Sequence, residues 1–309
     1  MIKVDLITGF LGSGKTTFLK KYAKYYIDKG QRIGILENDY GAVNVDMLLL
    51  NDLRGDNCEL EMVAGGCDAD CHKRRFKTKL IAMGMSGYDR VIIEPSGIFD
   101  MDEFFDSLHD EPLDRWYEIG NVITIVDANL EDSLSEDSDF FLASQIANAG
   151  IIVLSRSQLT DEAHKKATIN HLKGACEKAK LNMDVEKLIF DKNWDELSDS
   201  DYEKISNSSY ASRSYIKKIT TDDSGYKTVY FLELPMKKDG LKEKIDKLMS
   251  DPTCGKILRA KGFFKDQDIW YQFNATRADF ELTPMAVGQQ VFIVIGEELN
   301  QAAIQALLQ

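Results

Sequence analysis

The sequence is poor in basic residues, proline and long apolar runs, and each scarcity excludes a class of protein. Its 38 Lys and Arg residues are outnumbered by 51 Asp and Glu residues, and the formal net charge of −13 opposes non-specific binding to nucleic-acid phosphates. With 5 prolines and 44% hydrophobic residues, the chain is neither collagen-like nor disordered. No apolar run reaches the roughly 18 residues of a transmembrane helix. We therefore expect a soluble globular protein that binds neither nucleic acid nor membranes.

Cysteine is also scarce. The 5 cysteines are an odd number in a chain of 309 residues, which argues against a secreted, disulfide-stapled protein. The sequence opens as MIKVDLITGF, without the basic segment and long apolar region of a signal peptide. We expect a cytoplasmic location.

Short apolar runs alternate with helical stretches through the first part of the chain. The runs occupy residues 3–8, 32–36, 89–93, 122–126 and 151–154, and each ends at polar residues or glycine. This alternation is typical of a parallel sheet with helices on both faces, whose ligand lies at the carboxyl ends of the strands. We assign residues 1–205 to an α/β domain with a mostly parallel sheet.

The composition changes near residue 192. Residues 192–214 are rich in Ser, Asp and Asn, which predicts a linker or a long surface loop. Beyond them, strand-like runs outnumber helical ones. We predict that residues 206–309 form a smaller α+β domain with a mostly antiparallel sheet.

A phosphate-binding pattern stands between the first predicted strand and the first predicted helix. Residues 9–16, Gly-Phe-Leu-Gly-Ser-Gly-Lys-Thr, fit G-x-x-x-x-G-K-[ST]. In such a P-loop, backbone N–H groups converge on phosphate oxygens at the start of a helix. Lys15 would reach the β- and γ-phosphates, and the Thr16 hydroxyl would bind Mg²⁺. We predict nucleotide contacts from Gly9, Gly12, Ser13, Gly14, Lys15, Thr16 and Thr17.

Acidic residues follow the other predicted strands. Glu37 and Asp39 end the second run, Glu94 ends the third and Asp127 ends the fourth. A P-loop hydrolase needs a carboxylate near Mg²⁺ and a group that positions the attacking water. We predict that Asp39 and Glu94 serve these roles and are catalytic together with Lys15. The alternative is that each acid is an ordinary solvated loop residue.

Taken in order, these segments resemble the CobW-type P-loop GTPases, relatives of UreG and HypB. The resemblance is carried by T-G-F-L-G-S-G-K-T-T at 8–17, N-D-Y-G at 38–41, G-G-C at 65–67, E-P-S-G at 94–97 and K-I-L-R-A-K-G at 256–262. It extends over nearly the whole chain and implies a P-loop NTPase fold. It also implies Mg²⁺-dependent GTP hydrolysis coupled to handling of a metal such as Zn, Co or Ni. The partner would be a client metalloprotein or a corrinoid-type protein.

The chain departs from the family pattern where the guanine base would be read. The family's N-K-x-D is Ser155-Arg156-Ser157-Gln158 here. The aspartate carboxylate accepts two N–H groups of guanine, whereas the Gln158 carboxamide offers one neutral acceptor beside a donor. Arg156 can still stack its planar guanidinium on the base. We predict a purine nucleotide site with only a weak preference for GTP over ATP.

A second departure lies in the family's G-C-x-C-C motif. Residues 66–72 read Gly-Cys-Asp-Ala-Asp-Cys-His, and in a helix Cys67 and Cys71 would share a face. Two thiolates together with His72 or a nearby carboxylate could bind Zn²⁺. Alternatively, the cysteines are uncoordinated thiols or a redox-active pair. Cys58 could be a further ligand or a buried apolar residue, the commoner role of an isolated cysteine.

Three functions compete on these observations. The leading one is a nucleoside triphosphatase whose switch segments couple γ-phosphate contact to a metal site. The second is a nucleotide-switched chaperone or interaction protein that holds no metal of its own. The third is a small-molecule kinase, disfavoured because no arginine-rich lid follows the fourth strand. Metal content separates the first two, and the product of turnover separates the third.

Overall fold

The computed structural model divides the chain into two compact units, Met1–Lys218 and Ile219–Gln309. The predicted boundary between residues 205 and 206 lies earlier in the chain than this division. Tyr210 still pairs with Ala149 in the first unit. The structure describes residues 1–39, 46–64, 69–96, 101–130, 134–215, 226–232, 234–277, 279–285, 288 and 290–308. Within these ranges, no helix is long and apolar enough to cross a membrane.

The first unit is built on a parallel sheet. Its strands are β1 (Ile2–Gly9), β2 (Ile33–Asp39), β3 (Cys58–Ala64), β4 (Arg90–Pro95), β5 (Tyr117–Asp127), β6 (Ile151–Ser155) and β7 (Ile189–Phe190). The seven strands follow the order β3-β2-β4-β1-β5-β6-β7, and every pair is parallel. The predicted α/β fold is confirmed, and β3 and β7 are additions to the five predicted strands.

Helices separate these strands along the chain. They are α1 (Lys15–Asp28), α2 (Asp46–Leu50), α3 (Ala69–Gly84), α4 (Met101–His109), α5 (Leu113–Trp116), α6 (Glu136–Ala147), α7 (Glu162–Lys178) and α8 (Asp199–Ser206). Apolar side chains of β1 alternate between two core clusters: Ile7 packs with Phe18, whereas Leu6 packs with Phe76. Because both faces of the sheet are buried, a ligand is confined to the ends of the strands.

Residues 192–214 are not the predicted linker. They contain α8, which begins at a capping box in which the Asp201 carboxylate accepts the Ser198 backbone N–H at 2.8 Å. Tyr202 stacks on Tyr25 with 4.9 Å between ring centroids, and Ile205 is buried. Ser198 and Asp201, two of the polar residues that suggested a loop, cap this helix, and a few apolar residues anchor it.

The second unit is an antiparallel sheet with helices. Its strands are β8 (Tyr226–Leu232), β9 (Lys256–Asp266), β10 (Ile269–Ala275), β11 (Phe280–Met285) and β12 (Val291–Glu297), and its helices are α9 (Leu241–Ser250) and α10 (Gln301–Leu308). The order is β11-β10-β9-β12-β8, with every pair antiparallel. Phe264 and Phe273 of the sheet pack with Leu248 of α9 and Ile304 of α10. The predicted α+β domain with a mostly antiparallel sheet is confirmed.

A buried polar network crosses the sheet in its amino-terminal half. The Asp5 carboxylate of β1, with no exposed surface, accepts hydrogen bonds from the Tyr22 hydroxyl (2.8 Å) and the Arg90 guanidinium. The backbone N–H and side-chain amide of Asn121 also donate to it, both at 2.9 Å. Burial and the Asp5 charge raise the pKa of Tyr22 well above its ordinary value, so its hydroxyl remains a donor. Asp5 therefore joins β1, α1, β4 and β5.

Candidate nucleotide-binding site

The P-loop (residues 9–14) leaves the carboxyl end of β1 and enters α1. Gly14, directly before α1, has φ +94°, and Gly9 has φ +149°. A Cβ on Gly9 would lie 2.3 Å from the Ile125 carbonyl oxygen. No side chain fits there, because Gly9 pairs directly with Ile125 of β5. Gly9 is thus required by the close approach of β5, and Gly14 by its left-handed backbone conformation.

Two side chains of the motif and a carboxylate of β4 lie at the start of α1. Lys15 is 6% exposed, and its ammonium donates to the Gly9 carbonyl oxygen at 3.1 Å. The Thr16 hydroxyl donates to a carboxylate oxygen of Glu94 at 2.9 Å. Glu94 is buried near the end of β4, the neighbour of β1. A hydroxyl and a carboxylate side by side are the oxygen donors that Mg²⁺ prefers, so these residues fit the predicted ion.

A second buried carboxylate belongs to the neighbouring strand. Glu37 of β2 lies directly opposite Glu94 of β4, and both are buried. Asp39, which the sequence analysis selected on this strand, ends β2 opposite Ala64, and its side chain lies outside the described part of the structure. Of the two acidic residues of β2 at this edge of the sheet, Glu37 is therefore the one whose side chain the structure describes.

The predicted base-reading segment lies beside the P-loop. Arg156 has φ +56° and opens a 3-10 helix, Ser157–Leu159. Its guanidinium donates to the Gly12 carbonyl oxygen at 3.0 Å and to the Asp127 carboxylate. Asp127 therefore pairs with Arg156. Gln158 is exposed in the same turn, so its carboxamide is accessible to a ligand.

Trp194 lies beside the P-loop and was not predicted from the sequence. It begins a 3-10 helix after β7, and its indole N–H donates to the Leu154 carbonyl oxygen at 2.9 Å. Its ring atoms lie 3.4 and 3.6 Å from where a Cβ on Gly14 would stand, and the ring packs edge-on against Phe18. Trp194 therefore connects the end of β6 with the P-loop and α1. The one signal in the sequence was a tryptophan in an otherwise polar segment.

The cysteine segment is described only in part, because Cys67 lies outside the described residues. Cys71 is half-buried in the first turn of α3, and the next residue, His72, is fully buried. The His72 Nε2 atom lies 2.8 Å from the side-chain oxygen of Asn38. Among the described side chains, no group of three or more His, Cys, Asp and Glu could hold a metal ion. The described residues therefore do not assemble the predicted zinc site by themselves.

Of the two roles considered for Cys58, a metal ligand or a buried apolar residue, the structure favours the second. It begins β3, at the opposite end of that strand from the cysteine segment, and is 2% exposed. Burial raises the pKa of its thiol to about 11, which disfavours the thiolate that a metal requires. None of the four cysteines that the structure describes forms a disulfide.

A strand is followed by a glycine loop and a helix, and a lysine, a hydroxyl and a carboxylate converge at the start of that helix. This arrangement defines a P-loop nucleotide-binding protein. A family model described as the CobW/HypB/UreG nucleotide-binding domain matches residues 3–183, and one described as the cobalamin synthesis protein cobW C-terminal domain matches residues 228–309. The chain belongs to the CobW/HypB/UreG family.

Two curated relatives come from Escherichia coli. The zinc chaperone YeiR is 30% identical over 54% of this chain and 50% of its own length, and the zinc chaperone YjiA is 30% identical over 53% and 52%. The chain thus spans about half the length of these relatives. A crystal structure of Zn(II)-bound YjiA GTPase from Escherichia coli aligns with 99% of this chain and 97% of its own, at 16% identity and a TM-score of 0.37.

Proposed function

We propose that this protein is a Mg²⁺-dependent nucleoside triphosphatase whose nucleotide state governs delivery of a divalent metal to a client protein. The hydrogen bond between Thr16 and Glu94, beside the buried Lys15 ammonium, is the observation that carries the hydrolase part. Membership of the CobW/HypB/UreG family supports the metal part, because the relatives YeiR and YjiA are zinc chaperones. The nucleotide is GTP or another purine triphosphate.

Each residue of the site would contribute one part of the hydrolysis reaction. The N–H groups at the start of α1 bind phosphate oxygens, and Lys15 exchanges the Gly9 carbonyl for the β- and γ-phosphates. When bound, Mg²⁺ supplies further charge neutralisation at the phosphates, and Thr16 and Glu94 are the residues that would hold it. Because Glu94 is assigned to Mg²⁺, we propose Asp39 as the residue that orients the water that adds to the γ-phosphorus. The bond between that phosphorus and the bridging oxygen breaks, which leaves a diphosphate and inorganic phosphate.

A second candidate is a nucleotide-switched chaperone that holds no metal of its own. The placement of His72 favours it, because the imidazole is buried and its Nε2 atom is bonded to Asn38, which leaves only the Nδ1 atom of this predicted ligand for a metal. The client would then be recognised by the protein surface in one nucleotide state. The metal content of the purified protein separates the two candidates.

Base selectivity gives a direct test of the assignment of Gln158. We expect the wild type to prefer GTP over ATP by no more than about tenfold, because Gln158 lacks the charged acceptor for guanine and each lost or mismatched hydrogen bond is worth roughly 1–3 kcal/mol. Gln158→Asp restores a charged acceptor for guanine and should raise that preference by about tenfold or more. The measurement is the Kd for GTP, ITP and ATP in both proteins.

Leu159→Asp is the matched control for Gln158→Asp. It places the same charge on the adjacent, 72% exposed residue and should leave the selectivity unchanged. A wild-type preference of roughly 10³-fold for GTP would show that another residue reads the base.

Metal binding is tested on the two cysteines. We expect the wild type to bind one Zn²⁺ per chain, and the double substitution Cys67→Ser, Cys71→Ser to remove it. Because the thiols must lose their protons to bind, affinity should fall as the pH is lowered. Elemental analysis after dialysis against Zn²⁺, Co²⁺ or Ni²⁺ measures the content. Cys176→Ala is the control, since that cysteine is buried in α7. Equal Zn²⁺ in the double variant would contradict the site, and metal-free wild type would favour the second candidate.

A further inference from the structure

A hydrogen bond joins the cysteine helix to the strand that ends at the nucleotide site. His72 lies in the first turn of α3, directly after Cys71, and Asn38 is the penultimate residue of β2. Nε2 of His72 and Oδ1 of Asn38 are 2.8 Å apart. His72 is 0% exposed and Asn38 is 1% exposed, so water does not compete for this bond.

Asn38 is also tied to the strand that carries Glu94. Its backbone carbonyl accepts the Ser96 N–H at 2.8 Å, and its neighbour Glu37 lies opposite Glu94. Glu94 in turn accepts the Thr16 hydroxyl. A continuous series of contacts therefore leads from the Mg²⁺-binding hydroxyl of the P-loop, through the ends of β4 and β2, to the first turn of α3.

Breaking the bond to His72 would be costly at the Asn38 end. The side-chain nitrogen of Asn38 is buried and has no hydrogen-bond partner among the described residues, so loss of His72 would leave the oxygen of that amide buried and unpaired as well. A buried polar atom without a partner is unfavourable, because it has lost its bonds to water and gained none in return. If a metal bound the Nε2 atom of His72, the bond to Asn38 would break and the Asn38 oxygen would lose its partner. If β2 and α3 moved together, the bond would be kept.

We propose that His72 is a positioning residue: it fixes the first turn of α3 to the end of β2, so that nucleotide binding at the P-loop alters the exposure of Cys71. The metal would then be held without His72. The inference rests on the proposed function only in that a nucleotide binds the P-loop, and it does not require that a metal is bound.

The test is the rate at which Cys71 is alkylated, followed by mass spectrometry in metal-free protein, with and without Mg²⁺ and a non-hydrolysable GTP analogue. We expect the rate in the wild type to change about fivefold or more on nucleotide binding, the lower end of usual coupling factors. His72→Gln keeps a side-chain N–H at a similar reach and should retain this response. His72→Leu removes the donor and should abolish it.

A second variant removes the same bond from its other end. Asn38→Ala should abolish the response to the same extent, and combining it with His72→Leu should add nothing further. If His72→Leu does not fold, Asn38→Ala still tests whether the nucleotide response of Cys71 requires this bond. Zn²⁺ content adds an independent readout: a positioning role leaves it unchanged in His72→Gln, whereas a ligand role removes it.

Nucleotide binding is measured in the same samples, which separates the possible failures. A wild type that binds the analogue with no change in the Cys71 rate, or variants lacking the bond that keep the full response, would overturn the role of His72 and leave the triphosphatase proposal standing. A wild type that binds no nucleotide would overturn both. Loss of Zn²⁺ in His72→Gln would overturn the positioning role in favour of ligation.

Discussion

We expect Lys15→Ala to lower the rate of the proposed nucleotide hydrolysis by roughly 10²–10³-fold, the usual effect of removing a preorganised group that stabilises transition-state charge. Lys15 is buried, its ammonium donates to the Gly9 carbonyl oxygen of the P-loop, and we propose that it contacts the β- and γ-phosphates. The fold should remain intact. The measurement is phosphate release at saturating GTP and Mg²⁺, accompanied by the circular dichroism spectrum.

Lys24→Ala is the matched control for Lys15→Ala. Lys24 belongs to the same helix, but its side chain is exposed and bonds to Asp28. We expect its hydrolysis rate to stay within about twofold of the wild type, because an exposed pair contributes little. Undiminished phosphate release by Lys15→Ala would contradict the assignment of the P-loop as the site of hydrolysis.

Asp5→Ala should destabilise the first unit by about 3–5 kcal/mol, the usual result of removing one partner of a buried ion pair. The substitution leaves the Arg90 guanidinium uncompensated in the protein interior, and it takes the shared acceptor from Tyr22 and Asn121. Urea denaturation followed by tryptophan fluorescence gives the change in the free energy of unfolding.

Asp195→Ala is the corresponding control for Asp5→Ala. Asp195 also forms an ion pair at 2.8 Å, with Lys21, but its side chain is 76% exposed. Its loss should cost less than about 1 kcal/mol. If Asp5→Ala were as mild as this control, the buried network would not be a determinant of stability.

The nucleotide-binding half of the fold could be predicted because its signals are local. The P-loop motif follows one apolar run and precedes one helical pattern, and β4 and β6, buried along their whole length, are short apolar runs. The strand β3 was missed because it is an edge strand, in which Glu59 and Glu61 alternate with buried Cys58 and Leu60. It lacks the continuous apolar run that marks the interior strands.

The contacts that complete the site could not be predicted from local pattern. His72 reaches Asn38 across 34 positions of the chain, and Arg156 reaches Gly12 across 144. The motif containing His72 suggested a ligand because histidine beside cysteines is typical of metal sites. Only the packing of α3 against the end of β2 shows that its imidazole is bonded within the protein. Sequence spacing predicts which residues are chemically suited to a site, and tertiary packing decides their orientation.

Control of metal binding by the nucleotide can be measured by titrating Zn²⁺ into the protein loaded with Mg²⁺ and either a non-hydrolysable GTP analogue or GDP. We expect Kd values for Zn²⁺ that differ by about 5–150-fold between the two states, with Zn²⁺ shifting the relative affinity for the two nucleotides by the same factor, as linkage requires. Equal Zn²⁺ affinity in both states would contradict it.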